Sequence, residues 1–104
     1  MISREVKEGK LSQGTDEIIA YQITTTPWAS TPVVSAVKAY DVSVDGVRTD
    51  VTATVLSGVS SVTGDVITLP LLSVLTNGHI YRVEVKFTSG GNTFEPYFMV
   101  EAEN

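Results

Sequence analysis

The chain contains no cysteine, and that absence removes disulfide frameworks, thiolate zinc sites and thiol nucleophiles together. Histidine occurs once, at His79, and tryptophan once, at Trp28. A single imidazole cannot build a zinc site, and no Ser and acid signature accompanies it to suggest a nucleophilic triad. Basic residues are scarce: 7 Lys and Arg stand against 12 Asp and Glu, a net charge of −5. Such a surface repels phosphate, so nucleic acid is not an expected partner. No stretch approaches the roughly 20 apolar residues of a membrane-spanning helix, so no membrane partner is expected either. Met1 to Lys7 lacks an apolar run before a small-residue cleavage site, which argues against a secretion signal and for synthesis as a soluble cytoplasmic protein.

What is present is β-forming. In 104 residues, 42% hydrophobic and 18% charged, there is room for one core, and the recurring Val, Thr and Ser favour strands over helices. Residues 1–14 are polar, with Arg4, Lys7 and Lys10 interleaved with Glu5 and Glu8, and read as a flexible arm ahead of a domain over 15–104. From Thr15 the period becomes two, with Ile19, Tyr21 and Ile23 on one face and Ile18, Ala20, Gln22 and Thr24 on the other. Thr26 to Pro32, holding Pro27, Trp28 and Pro32, breaks that pattern into a loop.

Val33 to Val44 resumes the strand character, with Val37 and Ala39 opposed to Lys38 and Tyr40 and an irregularity that suggests a bulge. Asp45-Gly46 is a turn signal. Val51, Ala53 and Val55 then predict a strand with Asp50, Thr52 and Thr54 facing water. After a short Ser- and Gly-containing stretch from Val59 to Gly64, Val66 to Leu69 predicts a strand with Ile67 and Leu69 inward. Leu71 to Leu75 predicts one helical turn or a buried crossover. Ile80 to Thr88 is the clearest strand, with Tyr81, Val83, Val85 and Phe87 on one face. Ser89-Gly90-Gly91-Asn92 predicts a hairpin, and its return strand carries Phe94, Phe98 and Val100, with Pro96 placed at an edge or a bulge. About seven short antiparallel strands and no repeat indicate an all-β sandwich or a small barrel.

The run Leu75-Thr76-Asn77-Gly78-His79-Ile80-Tyr81-Arg82-Val83-Glu84-Val85 resembles the corner before the sixth strand of fibronectin type III and related immunoglobulin-like domains. Asn77 replaces the turn proline frequent there. The resemblance implies an Ig-like two-sheet sandwich in which Leu75, Gly78 and Tyr81 are structural, the phenol packing in the core and its hydroxyl tying down the crossing backbone. Gly78 to Asn92 running into Phe98 to Glu103 also resembles short acidic structural proteins of bacteriophages and prophages. That second resemblance implies a virion or prophage structural role and carries no functional residues with it.

Each candidate for chemistry has a plainer reading. His79 beside Gly78 reads as a turn residue. Asp41, Asp45 and Asp50 with Gly46 lack the order of acids of a calcium loop. Gly90-Gly91 has no helix after it to cradle phosphate. No catalytic, metal or cofactor residue is therefore assigned. The expectation is a non-enzymatic domain working through protein–protein contact or self-assembly, by way of its arm and an edge strand around Pro96. The alternative is a carbohydrate- or surface-binding module using Trp28, Tyr40 and Tyr97 as stacking residues.

Overall fold

The computed structural model describes residues 5–25, 31–43 and 47–103, with side chains from Leu11 onward. Trp28, Asp45 and Gly46 lie outside the described residues. The chain is mostly β. Its elements are β1 (Glu5–Gly14), β2 (Gln22–Thr24), β3 (Val33–Asp41), β4 (Thr49–Asp50), α1 (Thr52–Val55), β5 (Leu56–Ser57), β6 (Ser61–Thr63), β7 (Val66–Thr68), β8 (Leu71–Leu72), β9 (Ile80–Ser89), β10 (Asn92–Phe94) and β11 (Tyr97–Glu103).

They form a large sheet in the order β1-β11-β9-β3-β4 with β10 also on β9, a three-stranded sheet β2-β7-β6, and a pair β5-β8. A bridge between Ile19 and Leu72 joins the lead-in of β2 to β8. Residues of all three sheets share one buried cluster: Ile23, Ile67, Leu69 and Leu72 from the smaller sheets, and Ala39, Tyr81, Val83, Val85, Phe87, Phe98, Val100 and Ala102 from the large one. The alternation of β9 and β11 supplies half of the core, since every second side chain from Tyr81 to Phe87 and from Phe98 to Ala102 is buried while its neighbours are not. The register between β3 and β9 shifts between Val34 and Ala36, a bulge at Ser35.

Several expectations change. The polar segment before Thr15 is not an arm from Glu5 onward: it is β1, paired with β11. The reason lies in which of its residues face inward. Leu11 packs on the core, and Gln13 is fully buried, its Nε2 donating to the carbonyls of Leu72 (2.7 Å) and Glu17 (3.0 Å) while its Oε1 accepts from the Tyr21 hydroxyl (2.9 Å). A glutamine counted as polar is a core residue once every hydrogen-bonding atom has a partner. The β1–β11 pairing is parallel, so the large sheet is mixed. The strands number eleven short ones among the described residues, more than the seven expected.

The segment Thr52–Val55 is helical where a strand was expected. Asp50 Oδ1 accepts hydrogen bonds from the amide (3.0 Å) and hydroxyl (2.7 Å) of Thr52, and the amides of Thr54 and Val55 both bond to the Val51 carbonyl. Such local bonds compete with a sheet ladder and fold the chain into a turn of helix. Leu71-Leu72 is β8 instead of a helical turn, and the Ser- and Gly-containing stretch before Gly64 holds β6, closed onto β7 by the turn at Gly64-Asp65. Pro96 is buried between β10 and β11, outside both strands. It interrupts what is otherwise one register from β10 into β11, and its carbonyl still accepts the Val85 amide at 2.9 Å.

The corner before β9 matches its expectation in detail. Tyr81 is buried and its hydroxyl accepts the Thr76 amide at 2.9 Å. Leu75 is buried, and Gly78 has φ +82°, a conformation that costs a side chain but not glycine.

Candidate interaction surface

The inward faces of β3, β9 and β11 are committed to the core, so any surface chemistry of the large sheet belongs to the alternate residues. Period two places Ala36, Lys38 and Tyr40 of β3, Arg82, Glu84 and Lys86 of β9, and Tyr97 and Met99 of β11 on the opposite, outward face. Lys38 stands directly across from Glu84, and Tyr40 across from Arg82.

One carboxylate organises this face. Glu84 Oε2 accepts from Arg82 Nε at 2.7 Å and from Arg48 Nη1 at 3.3 Å. Each guanidinium lies over a tyrosine: Arg82 sits 3.8 Å from the Tyr97 ring centre and Arg48 4.5 Å from that of Tyr40. These are cation–π distances, and the stacking holds long, rotamer-rich side chains in one arrangement. A groove of about 290 Å³ runs along the face beside Lys38, Tyr40, Arg48, Glu84 and Lys86, with Glu95 at its wall.

Tyr40 and Tyr97 are therefore half-buried, with a ring face of each already occupied by a guanidinium. That occupancy leaves them poor platforms for stacking a sugar. Trp28, the third aromatic of that reading, falls outside the described residues.

A second polar cluster lies at the β3 end nearest the corner. Asp41 Oδ2 is 2.7 Å from His79 Nδ1, and Asp41 Oδ1 accepts from the Ser43 amide at 3.0 Å and from the Ser43 hydroxyl. The Ser43 oxygen also accepts the Ile80 amide at 3.0 Å. Partial burial alone would raise the Asp41 carboxyl, but the two bonds from Ser43 and the bond and charge of His79 outweigh it and hold the group below the ordinary Asp range. The order is serine, aspartate, histidine, with the acid in the middle. A nucleophilic triad needs the imidazole between serine and acid, so this cluster instead pins the corner to β3.

The other described acid of the calcium reading serves elsewhere. Asp50 is held low by hydrogen bonds from the amide and hydroxyl of Thr52, and its oxygen is spent on α1. Among the described residues no group of three or more His, Cys, Asp or Glu side chains could hold a metal ion. Gly90 and Gly91, at φ +57° and +84°, join the paired Ser89 and Asn92 as a two-residue hairpin turn. No helix among the described residues is long and apolar enough to cross a membrane.

The Arg48–Glu84–Arg82 bridge was not foreseen in the sequence. Arg82 and Glu84 share a face by spacing, but Arg48 reaches them from the β3–β4 connection. The only signal was the period-two placement of charge along β9.

Fold and surface together define the class: an all-β domain with a mixed large sheet, whose outward face presents arginine, lysine and tyrosine around a shallow groove. No protein-family model, curated protein or solved structure matches the chain.

Proposed function

We propose that this is an immunoglobulin-like domain serving as a non-enzymatic structural or accessory protein of the phage or prophage type, acting through protein–protein contact. The strand order supports the fold assignment. In Ig-like sandwiches one sheet contains B, E and D side by side and the other C, F and G, and β2-β7-β6 and β3-β9-β11 have the same sequence of neighbours. The Tyr81 corner stands at the start of β9, where such domains place theirs.

The outward face of the large sheet is the observation that carries the functional reading. Arg and Tyr are enriched at protein interfaces and at their energetic centres, and here Arg48, Arg82, Tyr40 and Tyr97 are set in one stacked array around Glu84. Preordered side chains lose less entropy on association. The resemblance of the C-terminal half to phage structural proteins supplies the biological setting.

Sedimentation velocity over a concentration series tests the reading. Wild-type chain forms concentration-dependent assemblies, and the double variant Arg82→Ala, Tyr97→Ala reduces them while keeping the far-UV spectrum. A wild-type chain that stays monomeric throughout the series overturns it.

A further inference from the structure

The described cations of this acidic chain share one face. Lys38, Arg48, Arg82 and Lys86 are all of the Lys and Arg residues whose side chains are described, and all four lie on the outward face of the large sheet. Carboxylates there are Glu84, shared by two guanidinium groups, with Glu95 at the groove wall and Asp50 near Lys38. The far end of the β1–β11 ladder is the reverse. Gly14 pairs with Glu103 and Ser12 with Glu101, the Thr15 amide bonds to the Glu103 carbonyl, and Asp16 and Glu17 follow in the turn. The turn thus brings Asp16 and Glu17 beside Glu103 at this end of the ladder, with the Glu17 carboxylate accepting the Gly14 amide at 2.7 Å.

The tip cannot reach its own groove. Glu103 lies six residues along β11 from Tyr97, which pairs with Glu84 at the groove, a span of about 20 Å at the strand rise. Both ends belong to one hydrogen-bonded sheet, so the distance is rigid.

We infer that the acidic tip formed by Asp16, Glu17 and Glu103 docks into the Lys38–Arg48–Lys86 groove of a second copy, joining copies head to tail. Oppositely charged patches steer encounter and set register. A contact between two different patches leaves one tip and one groove unused on every pair, so it propagates into a ring or a filament. The inference rests on the assembly reading above and specifies its contact.

Two neutralising variants test it: Lys38→Gln with Lys86→Gln disables the groove, and Asp16→Asn with Glu17→Gln disables the tip. All four side chains are exposed, so circular dichroism should match wild type. Each variant alone is expected to sediment as a monomer. Mixed at equal concentration they form a one-to-one heterodimer and nothing larger, because one intact tip meets one intact groove. Wild-type assemblies shrink as ionic strength rises from about 0.01 to 0.1 M, where the screening length falls from about 30 to 10 Å. Wild-type assembly that both variants retain, or variants that stay monomeric when mixed, overturns the head-to-tail contact and leaves the assembly reading standing. A wild-type monomer overturns both.

Discussion

Gln13 shows how much of this protein depends on single side chains whose type misstates their place. Its amide is fully buried and ties β1 to the Leu72 carbonyl, the Glu17 carbonyl and the Tyr21 hydroxyl. Truncation to alanine leaves those groups buried without partners, so Gln13→Ala is expected to cost about 1–3 kcal/mol, read from urea unfolding. Asp41 is the second such residue. Its native carboxyl lies below the ordinary Asp range, so its contribution is present above the unfolded value and is lost as pH falls through the native one. The stability gap between wild type and Asp41→Asn is therefore full at neutral pH and closes below about pH 4. Urea midpoints taken across that range check the sign: a gap that widens on acidification contradicts it.

At the scale of elements, β1 decides whether β11 has one neighbour or two. Without it, the β11 backbone on that side would be an open edge, a template for pairing with other chains. Removal of residues 1–14 is accordingly expected to lower the Tm more than Gln13→Ala does and to promote aggregation, measured by a thermal scan with light scattering. A flexible tail would be removed without either effect. The same segment marks the limit of composition as a guide. Six polar or charged residues around one leucine resemble an arm because their backbone bonds, which hold β1 in place, are invisible to a count of side-chain types. α1 shows the converse limit: Val51, Ala53 and Val55 alternate like a strand, but the Asp50 bonds to Thr52 settle the local geometry. The hairpin at Gly90-Gly91 was legible because a two-residue turn with positive φ at both positions nearly demands glycine.

For the whole molecule, one core joins all three sheets, and Phe87 lies at its centre, fully buried and stacked on Phe94 at 5.2 Å. Phe87→Ala is expected to cost about 3–5 kcal/mol. Because that one core joins all three sheets, far-UV circular dichroism and tyrosine fluorescence should report the same transition in wild type and variant. Separate transitions would mean that the smaller sheets unfold independently. The placement of charge is a property of the same scale: a net charge of −5 says the chain is acidic, whereas the positions of Lys38, Arg48, Arg82 and Lys86 put its described Lys and Arg on a single face.

From the sequence alone came the β class, the inward residues of β9, β11 and β7, the Gly90-Gly91 turn, the bulge in β3 and the Tyr81 corner. All are local: the strands and turn follow from a period of two, its interruption and glycine's access to positive φ, and the Tyr81 corner from the resemblance of Leu75 to Val85 to that of fibronectin type III domains. The tertiary structure alone decided the parallel seat of β1, the burial of Gln13, the interior position of Pro96 and the convergence of Arg48 with Glu84 and Arg82. These depend on contacts between strands distant in sequence, such as Gln13 with Leu72, 59 positions apart, and Arg48 with Glu84, 36 positions apart, and such contacts are fixed by which edges and faces remain unpaired after the local elements have formed.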